Sequence, residues 1–98
     1  MKVKIPFKDK FKEPLLSGEK TWTSRTRKYG DVGDTFFAFG QEFKIQKVER
    51  RMLLDVATHW REEGCNSQLD FIDVWKQIHS RKGFDPYQRV WVHQFHKI

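Results

Sequence analysis

The sequence predicts a small α+β domain in which about five short strands curl into a barrel, accompanied by about three helices. Three observations carry that expectation. The chain has 98 residues, enough for one core and no second one. Its short β-rich runs are broken by glycine-bearing turns and follow one another closely enough to pair. Between the hairpin-like runs and the last strand lie two stretches with apolar residues at helical spacing. Nine Phe and four Trp supply the bulk that so short a chain needs to fill a core.

Taken in order, residues 2–7 alternate, with Val3, Ile5 and Phe7 on one face, and read as a first strand ending at or just after Pro6. Phe11, Leu15 and Leu16 have helical spacing. Pro14 fits only a first turn, so the helix is short, over 12–17, with Gly18 as its left-handed stop. A second strand opens at Lys20 or Thr21. Residues 29–33 form a loop in which Gly30 and Gly33 supply unusual backbone angles.

Residues 35–39 (TFFAF) are a short apolar strand, and Gly40-Gln41 turns the chain into a partner strand over 42–50. There Phe43 and Ile45 face inward, and the change of phase before Val48 predicts a bulge. Leu53, Val56, Ala57 and Trp60 recur at i, i+3, i+4 and i+7, which predicts a helix running to Gly64. Ser67 with Asp70 has the spacing of a capping box and opens another helix, striped by Phe71, Val74, Trp75 and Ile78. After a turn at 83–86, residues 89–95 carry large side chains on both faces, as an interior strand does.

The balance of 19 Lys+Arg against 13 Asp+Glu leaves a net charge of +6, a mild bias toward polyanionic partners. Lys2, Lys4, Lys8, Lys10 and Lys12 crowd the start, Arg25, Arg27 and Lys28 follow the second strand, and Lys47, Arg50 and Arg51 form a third group. Nucleic acid or a nucleotide fits this distribution, and so does a plain solvated surface. No apolar run suits a signal peptide or a membrane span. The single cysteine, Cys65, has no internal disulfide partner and fits a reducing compartment, so a cytoplasmic location is expected.

The second strand is the informative one. Lys20, Thr21, Thr23, Ser24, Arg25, Thr26 and Arg27 leave Trp22 as its only large hydrophobe. A strand that served only the core would alternate apolar and polar residues, so this one is expected to line a site. A threonine becomes a nucleophile when a neighbour takes its proton, and a desolvated lysine can do so. Lys20 and Thr23 offer that pair. Residues three apart on a regular strand point to opposite faces, so the two meet only if Lys20 sits at an irregular strand entrance.

Glu63 is the second candidate. On a helix reaching Gly64, His59 and Glu63 lie beside the apolar stripe at the core edge, and Glu62 is turned away by about 100°. A core edge and a helix C-terminus both favour the uncharged carboxyl, as a general acid requires. A surface lysine and a plain His–Glu surface pair are the alternative readings of these residues. His59-x-x-x-Glu63 and His93-x-x-His96 match no zinc spacing, and no phosphate-cradling glycine loop is present, so no metal or other cofactor is expected. His93, on an interior strand, reads as a satisfied core histidine.

Leu-Ser-Gly-x-Lys-Thr-x-Thr-x-Arg, a loop, and then Val-Gly-Asp resembles the signature of the ASCH-domain family, small β-barrels related to the RNA-binding PUA domains. The resemblance extends over the opening strand, Glu62-Glu63-Gly64 and the closing Val-x-Val-x-x-Phe at 90–95. In length and layout the chain is similar to the compact N4-acetylcytidine amidohydrolases within that family. The resemblance implies Lys20, Thr23 and Glu63 as catalytic residues acting on an acyl group carried by the exocyclic nitrogen of cytosine. Thr23 would attack the acyl carbon or position a water. Lys20 would take its proton or stabilise the oxyanion, and Glu63 would protonate the leaving base. Arg25 would hold the sugar or phosphate side or clamp Glu63, and Trp22 or Tyr29 would stack on the base. Thr21 and His59 complete the expected substrate-binding set. Trp22 stands where a smaller apolar residue is common in the family, which alters pocket shape. The implied partner is a small nucleoside or base, with RNA as the alternative for a binding module with ribonuclease activity; a monomer or weak homodimer is expected.

Overall fold

The computed structural model describes residues 1–98. Four strands, β1 (Trp22–Arg25), β2 (Thr35–Ala38), β3 (Gln41–Met52) and β4 (Arg89–Lys97), form one antiparallel sheet in the order β1-β4-β3-β2. The sheet curls into a half-barrel, and three helices complete a small α+β domain: α1 (Lys12–Ser17), α2 (Leu53–Thr58) and α3 (Gln68–Ile78). β4 is interior, as its two-faced apolar pattern predicts. No helix is long and apolar enough to cross a membrane.

The strand expected at residues 2–7 is reduced to one parallel bridge between Lys2 and Thr35. Val3 N–H donates to the Thr35 carbonyl at 2.8 Å, and Pro6, lacking a donor, cannot extend the ladder. Ile5 is nonetheless buried, as the alternation predicts, although the segment does not pair as a strand. The β2–β3 connection uses Phe39 and Gly40, at φ 53° and 79°, one residue earlier than expected. Two positive φ values are what a tight hairpin with right-twisted strands requires. The predicted bulge is present: pairing with β4 shifts between Ile45 and Lys47. It lets Phe43 and Ile45 fill the core while Val48 pairs with His93.

α1 ends at Gly18, whose φ of 86° is the left-handed stop. α3 is capped by Ser67, whose Oγ accepts from Asp70 N–H at 3.0 Å. The shorter Asp70 carboxylate returns the bond to Asn66 N–H at 2.9 Å, in a variant of the capping box.

The helix expected over 53–64 stops at Thr58, and residues 59–64 are turns. The Asp55 carbonyl accepts from Thr58 Oγ1 at 2.6 Å and lies 2.9 Å from His59 Nδ1, while His59 N–H turns to Val56 O. Side chains thus occupy the acceptor that the next helical bond would need.

The rings of Phe36, Phe43 and Phe95 meet at centroid distances of 5.2–5.4 Å in the centre of the core. Burying a ring of this size contributes about 1.5–3 kcal/mol, so this cluster is a main tie between β2, β3 and β4.

A polar cavity along the free edge of β1

β1 is an edge strand, paired only with β4. Thr23 and Arg25 sit opposite His93 and Trp91, whereas Trp22 and Ser24 sit opposite Gln94 and Val92, so the two sets belong to opposite faces. A cavity of about 350 Å³ runs along the unpaired edge and is reached by side chains from both faces. Lys20, Thr23, Ser24, Arg25, Tyr29 and Glu63 form its polar wall; Phe7, Phe11, Phe71, Val74, Trp75 and Ile78 form an apolar one.

Lys20 sits before the strand, at the irregular entrance that sequence reasoning required. Its N–H bonds the Pro14 carbonyl at 2.9 Å, which fixes the backbone just after the Gly18 stop. Its ammonium donates to the carbonyls of Trp22 at 2.7 Å and Glu63 at 2.6 Å and lies 3.5 Å from Glu63 Oε1. The group is 3% exposed, and the Phe11 ring centroid lies 4.6 Å away. Burial holds Lys20 below the ordinary lysine value, opposed by the Glu63 carboxylate. The side-chain stem passes over Gly64, and this is possible because Gly64 has no side chain.

Glu63 enters from the turn after α2. Glu62 O accepts from Thr21 N–H and Trp22 N–H at 2.8 and 2.9 Å, stitching this turn onto the start of β1. The adjacent Glu63 carboxylate, 5% exposed, then lies between two partners: Lys20 on Oε1, and Ser24 Oγ donating to Oε2 at 2.6 Å. The helix-terminus argument for Glu63 therefore does not apply, because no helix reaches it. An ammonium and a hydroxyl set its electrostatics instead.

Arg25 does not clamp Glu63. Its Nε donates to Thr23 Oγ1 at 3.0 Å and its Nη2 to the Pro6 carbonyl at 2.6 Å, with its guanidinium 5.1 Å from the Phe7 ring centroid and 5.2 Å from that of Tyr29. Desolvation holds Arg25 below the ordinary arginine value. Lys20 and Thr23 share the cavity without bonding each other, since the Lys20 ammonium goes to backbone carbonyls and Glu63.

Three expected substrate contacts lie outside the cavity. Trp22 is buried on the other face of β1, stacked on His59 at 4.7 Å with the Arg51 guanidinium 4.8 Å from its centroid. His59 is thereby a packing partner of Trp22. Thr21 holds the sheet, its N–H on Glu62 and its carbonyl on Phe95 N–H.

His93 is the satisfied core histidine expected of it: Nε2 accepts from Tyr29 N–H at 3.0 Å, and Nδ1 lies 3.2 Å from the Thr23 carbonyl. It anchors two cavity-lining residues from behind. Ser24 and the α3 wall were not singled out from sequence. Ser24 stood in the polar tract as one hydroxyl among several, and Phe71, Val74 and Trp75 have the pattern of an ordinary core stripe.

No protein-family model and no curated protein matches the chain by sequence. Solved structures do match it. The hypothetical protein PH0355 superposes with a TM-score of 0.76 at 16% identity, covering 100% of both chains. An ASCH domain from Lactobacillus crispatus superposes with a TM-score of 0.68 at 14% identity, over 87% of this chain and 68% of that one. The chain has an ASCH-like fold. A protein from Enterococcus faecalis assigned to the DUF984 family has the same fold at a TM-score of 0.62 and 17% identity, over 88% of this chain and 68% of its own. In this ASCH-like, PUA-like architecture the edge strand, the turn after α2 and the first wall of α3 frame the cavity.

Proposed function

We propose that the protein is an amidohydrolase that removes the acyl group from N4-acylated cytosine nucleosides or bases, releasing the cytosine compound and a carboxylate. The observation that carries the reading is the convergence of Lys20, Thr23 and Glu63 in one cavity beside Arg25. These are the residues the sequence resemblance assigns to that reaction. Support also comes from the character of the cavity. A polar wall can meet an amide and the Watson–Crick edge of a base, and the apolar wall can take the flat ring faces and the acyl chain.

The difficult step is expulsion of the exocyclic amine, which is eased by a proton on the departing base. Glu63 is the acid for that step, and the neighbouring Lys20 ammonium keeps the developing negative charge in a desolvated site from standing alone. Tyr29 lies at the cavity wall beside Arg25, where a ring can stack on a bound base. The test is direct. Purified protein is incubated with N4-acetylcytidine and cytidine release is followed by absorbance. Folded protein that releases nothing above the blank rules out this substrate class.

A second reading, an RNA-binding module with ribonuclease activity, is favoured by cations that lie over aromatic rings on and near β1 and β4. Arg27 lies 4.6 Å from the Tyr29 ring centroid, and Arg50 and Lys28 lie 4.7 and 5.6 Å from that of Trp91. Bases stack on such rings while cations meet phosphates. Binding to single-stranded RNA that weakens steeply with salt supports this reading, and absence of binding at low ionic strength removes it.

A further inference from the structure

Thr23 and Ser24 both reach the cavity, but their hydroxyl groups are used differently. Thr23 Oγ1 accepts a hydrogen bond from Arg25 Nε at 3.0 Å, and its own hydrogen has no protein acceptor. Ser24 Oγ gives its hydrogen to Glu63 Oε2 at 2.6 Å, within a group of three buried side chains that includes Lys20. A nucleophile needs a base already in contact with its proton, and an oxyanion donor needs a free hydrogen held in place from behind. We infer that Ser24 is the nucleophile of this site, with Glu63 as its base, and that Thr23 is a donor to the oxyanion.

This rests on the acyl-transfer reading above and reassigns roles within it. Ser24 Oγ attacks the acyl carbonyl carbon as its proton passes to Glu63 Oε2, and the carbonyl oxygen takes up the negative charge facing Thr23 O–H. Collapse of the tetrahedral intermediate breaks the bond from carbon to N4, and the proton on Glu63 moves to the departing nitrogen. A water then attacks the Ser24 ester, giving one proton to Glu63. The released carboxylic acid carries the acyl group, and Ser24 recovers its hydrogen from Glu63. The edge position of β1 makes this possible, because adjacent residues on an interior strand would face separate compartments.

The experiment compares the wild-type chain with Ser24→Ala, Ser24→Cys and Thr23→Val. A fluorophosphonate, which phosphonylates activated hydroxyls, is mapped by peptide mass spectrometry, and N4-acetylcytidine turnover is measured in parallel. Melting curves identify the variants that fold. The expected result is a label on the peptide containing Ser24, absent in Ser24→Ala, with kcat/KM falling by about 10³-fold or more. Thr23→Val keeps the label while turning over about 10²-fold more slowly. If Ser24→Ala does not fold, Ser24→Cys is the deciding variant, with rapid alkylation at position 24 expected by iodoacetamide and slow alkylation there overturning the assignment. Label on Thr23, or turnover retained in folded Ser24→Ala, overturns it as well. Label on Ser24 without N4-acetylcytidine turnover removes the substrate reading and leaves the nucleophile standing. Neither label nor turnover in folded wild-type protein removes both.

Discussion

The stem of Lys20 rests against the bare Cα of Gly64: a methyl group there would come within 2.8 Å of Lys20 Cβ and 3.1 Å of its Cγ and Cδ. Gly64 also has a φ of 83°, which disfavours any side chain. Gly64→Ala is expected to lose about 1–2 kcal/mol from the backbone conformation alone and, in addition, to push Lys20 out of register with Glu63. Gly18 provides the control, with a similar φ of 86° and nothing within 4 Å of an added methyl. Melting temperatures should fall in both variants, while kcat falls at least tenfold in Gly64→Ala alone. Equal activity in the two would show that the Lys20 stem does not depend on that contact.

Glu63→Gln tests the buried pair. The substitution removes the charge facing a 3% exposed ammonium while preserving size and an acceptor for Ser24. Breaking a buried ion pair on one side costs about 3–5 kcal/mol, and the retained hydrogen bond puts this case near the lower end. A fall in Tm of roughly 10–20 °C is expected for a chain of this size, together with a loss of about 10²–10⁴ in kcat. Adding Lys20→Met should restore part of the Tm and none of the activity. A Tm unchanged in the single variant would mean that the pair does not contribute to stability.

His93 gives the stability a pH dependence. Burial lowers its value from 6.5, because the ring cannot be solvated and Nε2 is already an acceptor for Tyr29 N–H. The unfolded chain therefore binds more protons than the folded one just below pH 6.5, and stability falls as pH drops through that window toward the lowered folded value. Urea midpoints measured from pH 7.5 down to 5 should decline, with a shallower slope in His93→Gln. Identical slopes would assign the acid sensitivity to other groups.

Arg25→Lys separates charge from geometry. The guanidinium bonds Thr23 Oγ1 and the Pro6 carbonyl from one planar fork, a geometry that an ammonium cannot reproduce. With Thr23 no longer held from behind, kcat should fall by about tenfold to a hundredfold, with KM much less affected. A change confined to KM would instead make Arg25 a group that binds substrate charge.

How far the site could be read from sequence differed from residue to residue. Lys20 was legible because the Gly18 stop and the strand pattern left it at a break in the ladder, where side-chain alternation does not apply. Of the two grounds for Glu63, the place at the core edge holds, since its side chain is buried, and the helix end does not: the apolar stripe from Leu53 to Trp60 is real, but Thr58 and His59 take the Asp55 carbonyl and end the helix. Helical spacing reports which residues are apolar; it does not report local competition for one acceptor. Trp22 and His59 were expected on the substrate and instead stack on each other, because strand alternation put Trp22 on the face away from Thr23. Ser24 and the α3 wall depend on contacts across 39 or more residues of chain, which no local pattern encodes.

The turn that carries Glu62 and Glu63 has one more effect. Edge strands with unsatisfied amide and carbonyl groups are templates for pairing with other molecules. At the entrance to β1 the amides of Thr21 and Trp22 are taken by the Glu62 carbonyl and the carbonyl of Trp22 by the Lys20 ammonium. At the far edge of the sheet, the segment starting at Met1 takes both backbone groups of Thr35, the first residue of β2. The residues that build the cavity thus also act as a guard against self-association, and damage to Lys20 or to the 62–64 turn would surface first as aggregation on concentration or heating.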